Sequence, residues 1–93
     1  MEQPYRHIVV FRLPEEADVD EVVARLRALG DAPQVLSWRV ERSLDERKGP
    51  VVVEVGLFAS AQAFVVWRDS PAHQATAEHL REVADWLVAD YLD

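Results

Sequence analysis

Three stretches of the chain have the residue pattern of β-strands, and polar or turn-forming residues bound each of them. They cover residues 5–13, 35–43 and 51–58. On the first strand one face collects every second residue: Tyr5, His7, Val9, Phe11 and Leu13. Ile8 and Val10 lie on the opposite face, so this strand needs cover on both sides. Residues 86–91 add a predicted fourth strand.

The second and third predicted strands each have one apolar face. In the second, Leu36, Trp38 and Val40 form an apolar face, and the opposite face is more polar. In the third, the apolar face is continuous and consists of Val51, Val53, Val55 and Leu57. The charged segment 45–50 between these strands contains turn formers and predicts a hairpin loop.

The first predicted helix has clear signals at both ends. Asp18, followed three residues later by Glu21, resembles a capping box. Gly30 supplies the stop at the carboxyl end. The apolar residues between them recur at helical spacing and form one stripe: Val19, Val22, Val23, Leu26 and Leu29.

The second predicted helical region is broken in two. Ser60 caps a short helix whose inward residues are Ala61, Phe64, Val65 and the flank of Trp67. Ser70 and Pro71 then start a new helix, because serine caps well and proline costs nothing at the first helical position. This last helix extends to about Ala84.

The predicted order βαββαβ is that of an α+β, ferredoxin-like fold over residues 1–93, a single domain. This fold has a four-stranded antiparallel sheet with helices on one face. Apolar residues nevertheless occupy both sheet faces: Ile8, Val10, Leu36, Trp38 and Val40. Because a patch of that size is seldom left exposed on a monomer, we expect a homodimer joined sheet to sheet.

Composition narrows the classes of function. The net charge is −7, which repels nucleic acid and anionic lipid, so we expect neither as a partner. No apolar run is long enough for a transmembrane helix, and the amino terminus lacks the pattern of a signal peptide. Cysteine is absent, which excludes disulfides and thiolate nucleophiles. A cytoplasmic protein is the expectation.

His73 is the strongest candidate for chemistry. It lies in the first turn of the last helix, near the positive end of the helix dipole, so we expect its imidazole to stay neutral near neutral pH. A neutral imidazole beside an apolar interior can accept a proton. The alternative is a structural histidine that packs at the start of the helix.

His7 is the second candidate, because it shares a strand face with Val9 and Phe11 and could approach His73 across the interior. The alternative is a histidine near a strand end with one nitrogen in water. The spacing supports no metal site, and we expect no cofactor. The tryptophans are expected in the core or the dimer interface: Trp38, Trp67 and Trp86. Asp90 suggests a pairing role, whereas Asp69 and Glu78 are expected to face solvent.

Three segments in this order resemble the stress-responsive A/B barrel (Dabb) family of dimeric α+β barrel proteins. They are His7-Ile8-Val9-Val10-Phe11, Ser70-Pro71-Ala72-His73 and Val88-Ala89-Asp90-Tyr91. The resemblance covers nearly the whole chain. It implies a homodimeric barrel, and most members of the family have no assigned activity.

The resemblance also implies candidate site residues. In the related polyketide cyclases of the olivetolic acid type, which need no cofactor, a histidine and a tyrosine six residues before it close a ring by aldol condensation. The histidine matches His73 and a pocket histidine matches His7, but Trp67 replaces the tyrosine. We therefore expect a small apolar cavity near His7, Trp67 and His73. The residues expected to contact a small apolar or polyketide-like ligand are Trp67, Val9, Phe64 and Leu80. Alternatives are such a cyclase with His73 as base and, less favoured, a cofactor-free monooxygenase or isomerase.

Overall fold

A computed structural model describes residues 2–93 and gives an α+β, ferredoxin-like domain. Its elements are β1 (Tyr5–Arg12), α1 (Val19–Ala28), β2 (Val35–Arg42), β3 (Val51–Phe58), α2 (Ala61–Arg68), α3 (Pro71–Val83), β4 (Asp85–Val88) and β5 (Tyr91–Leu92). A 3₁₀ turn, Leu29–Asp31, follows α1. Among the described residues, no helix is long and apolar enough to cross a membrane.

The sheet has the antiparallel order β2-β3-β1-β4, and β5 pairs with the start of β1. The single fourth strand expected over 86–91 is therefore two short strands. At the break, the amide of Ala89 still donates to the carbonyl of Ile8 at 2.9 Å. Asp90 then turns its carboxylate back onto β1, where the amide of Ile8 donates to it at 3.3 Å. The break thus satisfies backbone groups instead of leaving them unpaired.

The inward face of β1 agrees with the prediction, since His7, Val9 and Phe11 are all buried. The sequence analysis did not assign either face of β3 to the helices. The inward residues of β3 are Val52, Glu54, Gly56 and Phe58, and the valine-rich face points away from the helices. Both faces of β3 are rich in apolar residues, so the alternation alone did not show which face the helices cover.

Strand β2 contains an irregularity that changes its phase. The register with β3 shifts between Val35 and Ser37, which leaves Leu36 as the extra residue, exposed to solvent. Trp38 and Val40 consequently pack in the helix-covered core, and neither lies on the uncovered face where the sequence analysis placed them. A β-bulge of this kind reverses the side-chain alternation at one point.

Two glycines make room for the Trp38 indole. A Cβ at Gly30 would lie 2.2 Å from Cδ1 of Trp38, and one at Gly56 would lie 2.7 Å from its Cζ3. Gly30 does not end α1 by a left-handed cap, since Gly49 is the glycine with positive φ in the described chain. Its role is close approach, and the 3₁₀ turn ends the helix instead.

The predicted helix starts are confirmed. Side-chain oxygens of Asp18, Ser60 and Ser70 accept hydrogen bonds from backbone amides in the first turns of α1, α2 and α3. The buried residues of α2 are Phe64 and Trp67. Ala61 and Val65, which were expected inside, are exposed because the inward arc of this two-turn helix is narrow.

The sheet face away from the helices has an uncovered apolar centre. It consists of Ile8, Val10, Val51, Val53, Val55, Leu57 and Leu87. Arg39 and Glu41 of β2 flank this centre with charge. The expectation that both sheet faces are apolar holds, although β1, β3 and β4 supply the residues rather than β2.

Candidate functional site

A cavity of about 310 Å³ lies between the sheet and the helices, chiefly α3. Its lining mixes apolar and polar side chains: Tyr5, His7, Val9, Phe11, Leu26, Leu29, Glu54, Phe64, Arg68, His73, Thr76, Ala77, Leu80, Trp86, Val88 and Asp90. Arg68 and Val88 are exposed members of this lining, so the cavity reaches solvent beside them. A volume of this size is at the lower end for small-molecule sites.

The sheet wall of the cavity holds a buried histidine between two carboxylates. Nδ1 of His7 lies 2.7 Å from Oδ1 of Asp90, and Nε2 lies 3.2 Å from Oε2 of Glu54. His7 and Glu54 reach each other because they are inward-facing diagonal neighbours on β1 and β3. We call Glu54, His7 and Asp90 the carboxylate–histidine chain.

In the carboxylate–histidine chain, the pKa values of His7 and Glu54 are both higher than their ordinary values. Burial alone would lower the pKa of His7, but the contacts with Glu54 and Asp90 outweigh it and raise that pKa. Burial also raises the pKa of Glu54, against the effect of His7. Both ring nitrogens of His7 face carboxylate oxygens, and only an imidazolium can donate from both. The two carboxylate contacts therefore favour the protonated form of His7.

Tyr5 extends the chain along the cavity wall. Its hydroxyl donates to Oδ2 of Asp90 at 2.7 Å, and its ring stacks on Phe64 with centroids 4.5 Å apart. Burial, followed by the hydrogen bond to Asp90, raises the pKa of Tyr5 to about 12. The phenol therefore keeps its proton at neutral pH.

The helix wall holds the second histidine under different conditions. Ser70 caps α3 by accepting the amide of His73 at 3.3 Å, and the imidazole packs against Trp67 with centroids 4.5 Å apart. Burial, followed by the positive charge of His7, lowers the pKa of His73. The neutral state expected from the sequence thus agrees with this direction, and His7 contributes to it.

One nitrogen of His73 has no partner. Nδ1 is buried and makes no hydrogen bond within residues 2–93. The nearby carbonyl of Arg68 accepts instead from Nε2 of Gln74, at 3.0 Å. Buried polar atoms without a partner are uncommon and call for an explanation.

Most of the predicted site residues meet at this cavity. His7, Val9, Phe64, His73 and Leu80 all belong to its lining. Trp67 does not: it is 1% exposed and lies one layer deeper, where it contacts both imidazole rings. Its indole N–H donates to the carbonyl of Leu29 at 3.1 Å. Contact between Trp67 and a ligand stays a prediction, and in this geometry the neighbouring rings cover the indole.

The sequence analysis missed four polar members of the lining: Tyr5 as a polar group, Glu54, Arg68 and Thr76. Glu54 had a usable signal, since it is an acidic residue in an otherwise apolar strand. Asp90 was expected in a pairing role, and it accepts hydrogen bonds from Tyr5, His7 and the backbone. Asp69 and Glu78 are exposed, as expected.

The arrangement of carboxylates does not resemble a metal site. Glu54 and Asp90 lie at opposite nitrogens of the His7 ring and not around a common point. Within the described part of the chain, no group of three or more His, Asp or Glu side chains could hold a metal ion. The chemistry available here is proton transfer and hydrogen bonding beside an apolar surface.

Comparison with known proteins agrees with this fold. Residues 5–93 match the stress-responsive A/B barrel domain. The chain belongs to this family. An uncharacterized protein of Streptomyces coelicolor is 32% identical to this A/B barrel domain, over 92% of this chain and 96% of that protein. The resemblance noted in the sequence is therefore confirmed.

Solved structures show the same fold at lower identity. A dimeric ferredoxin-like protein of unknown function from Thermobifida fusca has a TM-score of 0.85 and 18% identity, covering 100% of the A/B barrel domain and 93% of that chain. A cofactor-independent oxygenase from Streptomyces nogalater has a TM-score of 0.77 and 17% identity, covering 98% and 93%. Likeness at these identities establishes the fold and assigns no activity.

Proposed function

We propose that the cavity binds a small, largely apolar carbonyl compound and that His73 removes a proton from it without a cofactor. The observation that carries this proposal is the state of His73: an imidazole with a lowered pKa, one nitrogen unpartnered, on the wall of an apolar cavity. A general base has to be unprotonated at the working pH, and this residue meets that condition.

The proposed step needs one base and one group that binds oxygen. His73 takes a proton from the carbon next to the carbonyl. The electron pair of that C–H bond forms the carbon–carbon double bond of an enolate, and the carbonyl electrons move onto oxygen. Thr76 supplies a hydroxyl group in the same lining, and this hydroxyl can hydrogen-bond the enolate oxygen, whereas the Tyr5 hydroxyl already donates to Asp90. Return of the proton from the imidazolium to the carbon or to oxygen completes the cycle.

Two finer alternatives receive different support. Cyclase chemistry that uses an acidic side chain at position 67 is disfavoured, because Trp67 is buried and its only N–H is committed to Leu29. A cofactor-free oxygenase also begins with a base, and the likeness to the Streptomyces nogalater enzyme makes it compatible with this fold. Binding without turnover is the second candidate, favoured by the small volume and apolar wall of the cavity.

We also propose that the domain is a homodimer, with the uncovered apolar centre of the sheet packed against a second copy. Seven apolar side chains on an open sheet face are a large surface to leave in water, and the Thermobifida fusca relative in fold is dimeric. Light scattering at micromolar concentration should give twice the mass of one chain. A mass of one chain would contradict this, and Val53→Lys should convert a dimer to monomers. The cytoplasmic location stays a prediction.

Deuterium exchange tests the proposed function directly. The probe is the para-carboxamide derivative of phenylacetone, whose benzylic protons exchange slowly in buffer and can be followed by proton NMR in D₂O. We expect the protein to accelerate this exchange and His73→Gln to reduce the acceleration by about 10²–10⁴-fold. His79→Gln is the matched control, since His79 is on the same helix, outside the lining.

Two results would decide against the base. Equal exchange by wild type and His73→Gln would remove His73 from the mechanism. Saturable binding of the probe with no exchange above buffer would assign the cavity to ligand binding alone.

A further inference from the structure

We propose that Arg68 makes this cavity selective for carbonyl compounds that also carry a carboxylate, with the carboxylate bound at the mouth and the apolar body inside. This inference rests on the proposed function, because it names the class of compound that the same cavity takes. The supporting observations are the position of the guanidinium, its unused donors and the mutual pairing of the other charged groups of the lining.

The guanidinium is held at the cavity wall. Arg68 is the last residue of α2 and belongs to the lining. Its Cζ atom lies 5.8 Å from the centre of the Phe64 ring, within cation–π range. Phe64 in turn stacks on Tyr5. An aromatic wall therefore leads from the interior of the cavity to a positive charge at its opening.

Most donors of Arg68 are unused. Within residues 2–93, the hydrogen bond its side chain makes is from Nε to Oδ1 of Asp69, at 3.2 Å. The two side chains are 48% and 59% exposed, so this ion pair contributes little and exchanges readily. The terminal NH₂ groups are free to form the paired N–H···O contacts that match a carboxylate.

Arg68 differs from the other charged groups of the lining in where its partner lies. The other charged groups of the lining are His7, Glu54 and Asp90, and they satisfy one another. Arg68 is thus the one lining cation whose partner lies outside the cavity, in the described chain. The protein as a whole carries −7, so it does not attract anions in general. Selection of an anion would have to come from this arginine.

The charge of Arg68 also reaches the reacting groups. It lowers the pKa of His73 and opposes the increase in the pKa of Tyr5. A bound carboxylate would offset this positive charge and so make His73 a stronger base. Recognition of the anion would therefore favour proton removal from the same molecule.

A pair of isosteric probes tests the inference. The para-carboxylate and para-carboxamide derivatives of phenylacetone share their ketone and shape and differ in charge. We expect wild-type protein to bind the carboxylate about tenfold more tightly than the amide. Arg68→Gln should abolish this preference, so that the two probes bind with equal affinity. Arg68→Lys should retain part of the preference, because lysine keeps the charge without the planar fork.

Arg81→Gln is the control for a general charge effect. Arg81 is exposed on α3 and its charge also lowers the pKa of His73, but it is outside the cavity lining. It should leave the tenfold preference intact. Loss of the preference in Arg81→Gln would attribute it to the overall field and overturn the role of Arg68.

The outcomes separate this inference from the proposed function. Equal affinity of wild type for the two probes overturns the role of Arg68, and exchange of both would leave His73 as the base. A carboxylate preference that disappears in Arg68→Gln supports the role of Arg68, even where neither probe exchanges deuterium. If Arg68→Gln fails to fold, the wild-type probe comparison and Arg68→Lys still decide the matter.

Discussion

The cavity contains two histidines, and their surroundings are opposite. His7, on the sheet wall, faces a carboxylate at each nitrogen, and these contacts raise its pKa. His73, on the helix wall, has a buried nitrogen with no partner, and burial lowers its pKa. Both rings pack against Trp67, so the difference does not arise from depth alone.

The comparison shows that partners, and not burial, account for the difference between the two pKa values. Burial acts in the same direction on both rings, since it disfavours the charged form. Glu54 and Asp90 reverse this effect at His7, and no carboxylate does so at His73. A protonated His7 adds to burial, the larger cause, in lowering the pKa of His73. One histidine is held between two carboxylates that favour its protonated form, and the other is free to take part in proton transfer.

Replacing each histidine by leucine gives the sharpest test, and the largest effect is expected at His7. His7→Leu leaves Glu54 and Asp90 without their shared partner, with Glu54 only 2% exposed. Breaking a buried charge pair in this way costs about 3–5 kcal/mol. Urea unfolding should show this loss, whereas His79→Leu, at a half-exposed position, should change stability by less than about 1 kcal/mol. A loss below about 1 kcal/mol for His7→Leu would mean that the chain does not stabilise the fold.

The fold could be predicted from the sequence because its local signals agree with one another. The caps at Asp18, Ser60 and Ser70 define where the helices begin, and each of them is formed by side-chain acceptance as expected. The alternation in β1 correctly identified its inward face. Together with the element order, these signals leave few topologies.

The polar part of the site could not be predicted, for a physical reason. The chain of contacts joins residues far apart in sequence, such as His7 and Asp90, and depends on the phase of β3. Valines on both sides of Glu54 give that strand a continuous apolar face, so the residue pattern did not show that the face of Glu54 is the inward one. The bulge at Leu36 moved Trp38 and Val40 inward in the same way, and no local residue pattern marks it.

A smaller loss of stability is expected when Tyr5 no longer hydrogen-bonds Asp90 of the carboxylate–histidine chain. Tyr5→Phe removes one of the three hydrogen bonds that Asp90 accepts, and the aromatic stacking on Phe64 remains. A hydrogen bond to a charged group contributes about 1.5 kcal/mol, so urea unfolding should show a loss of that order. Tyr91→Phe is the control, since this tyrosine is half exposed. Equal effects of the two substitutions would show that the hydroxyl of Tyr5 adds nothing to the chain.

The two histidines should also give opposite pH dependence of stability. Folding raises the pKa of His7 above its ordinary value of 6.5, so the folded state binds more protons and stability falls as pH rises through the raised pKa. Folding lowers the pKa of His73, so the contribution of His73 to stability increases as pH rises to about 6.5. As the pH rises above 6.5, thermal unfolding should occur at progressively lower temperature. Glu54→Gln should flatten this decline, because the contact with Glu54 is a main cause of the raised pKa of His7. An unchanged slope would contradict this effect of Glu54 on the pKa of His7.

The smallest change in stability is expected for His73→Leu, the counterpart of the first substitution. The buried Nδ1 costs about 1–3 kcal/mol while it stays unpaired, and leucine removes that cost. The lost contact with Trp67 is worth about 0.5–1.5 kcal/mol in the other direction. These terms offset each other, so the free energy of unfolding should be unchanged to within about 1 kcal/mol. If His73→Leu and His7→Leu lower the free energy of unfolding by similar amounts, His73 is a structural residue of the fold. That result would weaken its assignment as the base. Stability retained with proton exchange abolished would separate the two histidines by role.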